Sequence, residues 1–564
     1  MFTPKIALFA VVATFLFLLL GRGNFPINDD WLFARQVESF RNGNIIINHQ
    51  IEPAFIFQGF LGYVWSQIFG LSFQSLHLLS FVVYVVSVVF LFKLLSLLTE
   101  NKKLISLLVA LYAFNPIVLA SSVTFMTEIY FLCLIIVSLY YYQLGFQKKS
   151  DTHFLLGVLL NGAAFLVRQS AALMIPVAIY FYFAGEKKVR WKHLIVKSLA
   201  GLIFILIWVF WPRYSSTDES SRALFLEIND FVPRLQQIGY SFIYLIFFTL
   251  PLFLGDLRFF KEIVKQTKKF RQLVYIAVTA LVTFVLGRHV YLLDIFPLGN
   301  VFYIEELYSK SGFRSNFSIF DNSPFKIFLI VLIIISTVGL IHTITKNRTK
   351  ILGKNRKTSN FYLVNLVLQF LLLLVTKDLY DRYLLPVFVL VLIISATYAK
   401  ELEFKITKLA YTGLALLIFI SLALNYEYLT VQALRWDQAL KIQQDSGIVL
   451  GIQLDGTYTK YFAAKKQNDF TGIGQSIPGG LEYDCYIQSY TDDGSWFLTK
   501  QLILVEKTIE KFIPNPKVYE AKKLIDDKRI KKHLKELRYN QMYFSPLYSI
   551  IGKKAYVGSW CELE

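Results

Sequence analysis

Apolar runs long enough to cross a bilayer, or nearly so, recur along this chain at about residues 5–21, 76–99, 103–120, 125–144, 153–168, 170–185, 194–212, 238–255, 273–292, 326–345, 361–376, 383–399 and 408–425. A hydrocarbon core of roughly 30 Å needs about 20 residues of helix, and inside it every backbone N–H must be satisfied within its own segment. The pattern therefore predicts a mainly α, polytopic transmembrane bundle of about thirteen helices. The fifth and sixth runs are short and read equally well as one broken hairpin. Only 17% of the 564 residues are charged and 55% are hydrophobic, a balance that soluble domains do not reach. The first run follows Lys5 and resembles a signal peptide, but Gly21-Arg22-Gly23 is a poor small-residue cleavage site. It reads as a retained first helix.

A net charge of +19 would suit nucleic acid if it were gathered in one patch. It is instead dispersed in short clusters between the apolar runs, which is how topology is encoded, and nucleic acid is excluded as a partner. Lys102-Lys103, Lys148-Lys149, Lys187-Lys188 with Arg190, Lys268-Lys269 with Arg271, the basic run 346–357 and the basic run 400–408 all fall on one side. The positive-inside rule makes that side cytoplasmic. The expected location is a plasma (inner) membrane, with the opposite loops and everything after about residue 426 extracytoplasmic. Cys133, Cys485 and Cys561 lack metal-ligand spacing and the seven histidines do not cluster, so a structural zinc site is not expected.

The outer side carries the polar groups that a bundle of this kind has no need of for packing. Asn28-Asp29-Asp30-Trp31 follows the first span, and Phe33, Val37 and Phe40 then recur at helical spacing. This predicts a short interfacial helix capped by Asn28, with Asp29 and Asp30 in its first turn, where the helix dipole favours carboxylates. Neighbouring helix positions point about 100° apart, so one carboxylate can face a reaction centre while the other braces the backbone or holds a metal. Further ionisable groups stand at helix ends: Glu128 opens the fourth helix, Arg168-Gln169 separates the fifth from the sixth, and Asp381-Arg382-Tyr383 precedes the twelfth. The outer loops add Glu52, Arg213, Arg222, Arg234, Asp294, Glu305, Glu306 and Arg314. Each has a plain structural explanation, since Arg168 can snorkel, Asp381 can pair with Arg382, and Glu128 can cap its helix. Together, carboxylates and arginines at the outer mouth of an apolar bundle suit the handling of a lipid-borne anion beside a working carboxylate.

Residues 426–564 differ in kind. Turn signals at Asp455-Gly456, Pro478-Gly479-Gly480 and Asp493-Gly494 separate strand-like runs at 448–454, 483–490, 502–505 and 555–561, with a charged helical stretch at 522–537. The expected domains are a transmembrane catalytic domain over 1–425, with interfacial helices in the first outer loop (22–75), and a small extracytoplasmic α/β domain over 426–564. An oxidising location leaves a Cys485–Cys561 disulfide open.

Asp29-Asp30-Trp31-Leu32-Phe33-Ala34 at the head of the first outer loop resembles the GT-C class of integral-membrane glycosyltransferases. More narrowly, it is similar to the protein O-mannosyltransferase and lipid A aminoarabinose transferase group, glycosyltransferase family 39. Gln58-Gly59, Leu61-Gly62, Asn115-Pro116, the stretch Thr124-Phe125-Met126-Thr127-Glu128, Arg168-Gln169, the stretch Asp381-Arg382-Tyr383-Leu384-Leu385-Pro386 and Arg435-Trp436 continue the resemblance over roughly residues 1–445. The resemblance implies a GT-C-like fold and inverting transfer of a sugar from a polyprenyl-phosphate donor to an acceptor hydroxyl on a glycan, lipid or protein at the outer face. It implies that Asp29, with Asp30 beside it, is catalytic, Asp29 being the base or acceptor-orienting group. Arg168 and Arg382 are then the candidates for the donor phosphate, with Glu128, Asp381, Tyr383 and Gln169 lining the substrate site. Two departures stand out. Glu52-Pro53 is out of register with the family's second loop acid, which leaves a divalent metal an open question, and Glu128 stands where many bacterial relatives carry Asp.

A polyprenyl-linked lipid or glycan flippase would also need arginines for a lipid phosphate, but at mid-membrane depth along a path rather than at the outer ends. The absence of a convincing internal repeat counts against it. A diphosphate-donor ligase or polymerase is a third reading. Its key arginines would be expected in a large late outer loop, whereas 294–322 is richer in aromatics than in arginine.

Overall fold

The computed structural model describes residues 29–48, 51–184, 191–213, 357–376, 381–399 and 406–446, with short pieces elsewhere, among them 23–27, 244–252, 331–342 and four strands near the C-terminus. The expected runs at 5–21, 238–255, 273–292 and 326–345 lie wholly or partly outside these residues, as do Asn28, the run 502–505 and the charged stretch 522–537. The chain forms two compact units, one built on Leu32–Phe284 with Ile330–Leu422, the other on Leu18–Trp31 with Ala423–Glu564.

The described residues are mainly helical: α1 (Asp30–Arg41), α2 (Phe57–Phe69), α3 (Phe73–Leu98), α4 (Lys102–Ala113), α5 (Pro116–Ser122), α6 (Thr127–Lys148), α7 (Asp151–Phe165), α8 (Met174–Phe183), α9 (Trp191–Phe210), α10 (Lys357–Val375), α11 (Leu385–Thr397) and α12 (Lys408–Ser446). Short 3-10 turns at Gln169–Leu173 and Asp381–Leu384 lead into α8 and α11. Among the described residues five helices are long and apolar enough to cross a membrane, or six if α4 and α5 are taken as one bent span. Gln169–Phe183 and Arg382–Thr397 are shorter apolar helices.

In the first unit α6 is the axis of the bundle. Its most apolar window is 78% buried, against 17% for α9, so α6 packs on protein while α9 turns most of its side chains outward. Between membrane helices, small residues and hydroxyls carry the close contacts, because apolar surface gains nothing by leaving lipid. Gly157 on α7 illustrates this: a Cβ there would come within 2.6 Å of the Tyr142 ring on α6. The approach lets the Ser138 hydroxyl donate to the Gly157 carbonyl at 2.8 Å. On the other flank of α6, Tyr130 meets Ser80 of α3 at 3.0 Å, and Tyr84 of α3 donates to the Ala113 carbonyl at 2.6 Å.

Three expectations change in the structure. The run 103–120 is a broken helix, α4 and α5 meeting at 59°. Pro116 has no N–H to continue the ladder and disfavours helical backbone at Asn115. The Asn115 side chain then accepts from the N–H groups of Ile117 and Val118, starting α5 afresh. The last helix continues past 425 to Ser446. Finally, α1 begins at Asp30, so Asp29 precedes the helix instead of sharing its first turn.

In the second unit a four-stranded sheet has the order β1-β2-β4-β3, with β1 (Ile452–Gln453), β2 (Cys485–Thr491), β3 (Tyr539–Tyr543) and β4 (Ala555–Cys561). β1 and β2 run parallel, and β4 is antiparallel to both β2 and β3. Strand β3 was not expected from the sequence. The β2–β4 register sets Cys485 directly opposite Cys561. Opposed residues of an antiparallel pair lie with Cα atoms roughly 4.5–5.5 Å apart, inside the range a disulfide bridges. Non-reducing digestion and mass spectrometry of protein exported with its native topology is expected to yield a Cys485–Cys561 linked peptide, with Cys133 alkylated only after unfolding. Free alkylation of both strand cysteines without reductant would count against the bridge.

Candidate functional site

Four chain segments of the first unit meet at the end of the α6–α7 hairpin opposite Lys148 and Lys149. The first is the loop before α2, where the Phe55 N–H donates to the Glu52 carbonyl at 2.9 Å. That loop is tied to the end of α7, because the N–H groups of Ile56 and Phe57 both donate to the Leu166 carbonyl at 3.1 Å. The second is the approach to α6, held by the Gln58 side-chain amide donating to the Phe125 carbonyl at 3.0 Å. The third is the exit from α7. Here the backbone opens to an extended conformation at Arg168 (φ −147°, ψ 128°), and the Asn161 amide donates to the Ala171 carbonyl at 2.8 Å to hold the 3-10 turn that follows. The fourth is the 3-10 turn carrying Arg382 and Tyr383, which ends where Pro386 starts α11.

These segments bring together two carboxylates, two guanidinium groups and a phenol. Glu128, in the first turn of α6 and 2% exposed, is the centre. Its Oε1 is 2.5 Å from Arg168 Nη2 and 3.1 Å from Arg382 Nε. Arg168 Nε donates to the Thr127 hydroxyl at 3.0 Å, and Nη2 also reaches Glu52 Oε1 at 3.5 Å. Tyr383 lies beneath both cations, its ring centroid 5.0 Å from Arg168 Cζ and 5.8 Å from Arg382 Cζ. Arg168 therefore does not snorkel: its side chain, 15% exposed, is aimed at Glu128. One carboxylate oxygen shared by two arginines leaves Glu128 Oε2 and Glu52 Oε2 without a hydrogen-bond partner among the described residues. A guanidinium carries five N–H donors, and the described contacts of Arg168 engage its Nε and Nη2.

Of the residues expected to line the site, Glu128, Arg168, Arg382 and Tyr383 come together. Gln169 is half-buried at the head of the 3-10 turn, with no described side-chain contact to the cluster. Asp381 opens the second 3-10 turn, and its side chain lies outside what the structure describes. Glu52 joins the cluster although the sequence placed it only among the loop acids. Its displacement from the family register concealed it; the Ile56–Leu166 and Phe57–Leu166 hydrogen bonds bring it in. Glu52 is half-buried, and desolvation, reinforced by the Glu128 charge, pushes its carboxyl above the ordinary value despite the pull of Arg168 and Arg382.

Asp29 and Asp30 belong to the second unit. Asp30 is fully buried and closes a reciprocal turn: its N–H donates to the Ile27 carbonyl at 3.2 Å, and its Oδ2 accepts from the Ile27 N–H at 3.3 Å. Asp29, one residue earlier, is exposed. Of the two acids, Asp30 braces the backbone and Asp29 is exposed to solvent. Beyond them α1 is anchored by Phe33 stacked on Phe55, with ring centroids at 4.8 Å, and by Gln36. The Gln36 amide donates to the Ile46 carbonyl at 3.0 Å and its oxygen accepts from the Asn48 N–H at 2.9 Å.

A divalent metal does not fit the described cluster. No three His, Cys, Asp or Glu side chains converge among the described residues, and the carboxylates there are faced by guanidinium groups where a cation would have to sit.

A search of curated proteins finds no match to the chain. Among solved structures, the crystal structure of ArnT from Cupriavidus metallidurans in the apo state aligns over 98% of this chain and 97% of its own, at 12% identity and a TM-score of 0.38. The family model described as dolichyl-phosphate-mannose-protein mannosyltransferase matches residues 56–211, the stretch that contributes Glu128 and Arg168 to the cluster. Over that stretch the chain is similar to this mannosyltransferase family.

Proposed function

We propose that this protein is a membrane glycosyltransferase that moves a sugar from a polyprenyl-phosphate donor to an acceptor hydroxyl at the extracytoplasmic face, with inversion. The observation that carries the reading is Arg168 and Arg382 converging on Glu128 at one end of the bundle, within or beside a stretch that matches a mannosyltransferase family. In the reaction the acceptor oxygen attacks the anomeric carbon, the bond from that carbon to the phosphate oxygen breaks, and polyprenyl phosphate departs with the bonding pair. The leaving group is already an anion and needs no proton. It gains from the guanidinium groups of Arg168 and Arg382 as negative charge builds on the phosphate. The hydroxyl proton passes to a carboxylate base, a role assigned to Asp29 on its resemblance to the family's first acid.

The test is release of polyprenyl phosphate by the purified full chain from a panel of polyprenyl-phosphate sugars, with membrane extract as acceptor. Release that disappears in Arg168→Gln while the protein remains folded supports the reading. No release from any monophosphate donor, with release from a diphosphate donor, would overturn it in favour of a ligase or polymerase.

A further inference from the structure

Among the described residues the cluster sets two carboxylates, Glu52 and Glu128, against two guanidinium groups, Arg168 and Arg382. A polyprenyl-phosphate sugar is a phosphodiester and brings one further negative charge. Resting on the donor-phosphate reading above, we infer that Glu52 is the counter-charge this anion must replace: it occupies Arg168 in the empty site and gives it up on donor binding, by taking a proton or by turning away. Binding of the donor is thereby coupled to proton uptake.

Geometry selects Glu52 over Glu128 for this part. Glu128 is 2% exposed, sits in the first turn of a long helix, and is held by both arginines at 3.1 Å or less. Glu52 is 36% exposed, sits on a loop, and meets one arginine at 3.5 Å. Removing the Glu128 charge would take from two buried cations the carboxylate they share, whereas neutralising Glu52 frees one donor group and leaves Glu128 in place. Among the described residues, the groups that face Glu52 are Arg168 beyond α7, Glu128 and Thr127 at the start of α6, and Arg382 and Tyr383 before α11. Burial, with the Glu128 charge added, raises its carboxyl above the ordinary value against the pull of the arginines, which eases proton uptake.

The sign follows directly. Below the Glu52 pKa the carboxyl is neutral and Arg168 can turn to the phosphate. Above it, each bound donor requires a proton or the expulsion of a carboxylate, so affinity falls as pH rises, by up to about tenfold per pH unit. The experiment titrates the full chain in neutral detergent with farnesyl methyl phosphodiester, whose single charge is constant between pH 5 and 9, by calorimetry across that range. Wild type is expected to bind more weakly as pH rises. Glu52→Gln and Glu52→Ala are expected to bind about tenfold more tightly than wild type at the alkaline end, with a flat pH profile. Glu52 variants that bind more weakly, or keep the wild-type slope, overturn the inference. Arg168→Gln separates the two ideas: if it binds the probe as wild type does, or if no variant binds at all, the donor-phosphate reading fails and this inference fails with it. If Arg168→Gln loses binding while the Glu52 variants behave as wild type, only the inference about Glu52 falls.

Discussion

Glu128→Gln is expected to lower the stability of the protein by roughly 3–5 kcal/mol, the usual cost of leaving buried charge without its partner. The substitution preserves size and one acceptor oxygen, so it leaves no cavity and isolates the charge. Two guanidinium groups, on side chains 15% and 9% exposed, then lose the carboxylate they share, and of the described acids only Glu52, 3.5 Å from Arg168, remains. The measurement is thermal unfolding in detergent, followed with and without farnesyl methyl phosphodiester. Because a ligand that binds only the folded state stabilises it by mass action, the anion is expected to restore more stability to Glu128→Gln than it adds to wild type. A variant as stable as wild type would mean that the ion pairs contribute little. An unstable variant that the anion fails to restore would mean that the arginines do not face a phosphate site.

Asp29→Asn is expected to lower transfer by about 10²- to 10⁴-fold, the usual loss when a general base is removed, while leaving thermal unfolding unchanged. The asymmetry between the two adjacent acids makes the test sharp. Asp29 is exposed and outside the helix, and an amide of the same size is the substitution there expected to disturb the fold least. Asp30 is buried, with its carboxylate accepting from the Ile27 N–H, and Asp30→Ala is expected to cost roughly 1–3 kcal/mol of stability instead. Donor binding should survive in Asp29→Asn, since the proposed phosphate contacts come from Arg168 and Arg382. Transfer at the wild-type rate would remove Asp29 from the chemistry and leave it a residue that precedes a helix.

How far the sequence alone reaches can be judged at particular residues. The helices of 73–98, 127–148, 191–210 and 357–375 were legible because an apolar run of membrane length leaves the backbone no alternative to hydrogen-bonding within itself. The break at Asn115-Pro116 was equally a local matter, written in a missing N–H and a capping amide, yet an unbroken hydropathy run hides it. The buried face of α1 was visible as Phe33, Val37 and Phe40, whereas its starting residue was not, since helix ends depend on which backbone groups find partners.

Which charged side chains meet is a different kind of question. Glu128, Arg168 and Arg382 were each noticed as costly groups at helix ends, and each alone was as well explained by capping, snorkelling or a neighbouring ion pair. Only packing decided that all three converge, because α6, the exit from α7 and the turn before α11 are separated by 40 residues and more than 200 in the chain. Glu52 shows the limit most clearly: it belongs to the cluster through two N–H groups of Ile56 and Phe57 that found the carbonyl of Leu166. The hydropathy and charge pattern of this chain determined by itself that it is a helical membrane protein carrying acids and arginines at helix ends, since a low-dielectric surround acts on each segment separately. Tertiary structure alone decided which of those charges share a site, since an ion pair depends on distance in space and not on spacing along the chain.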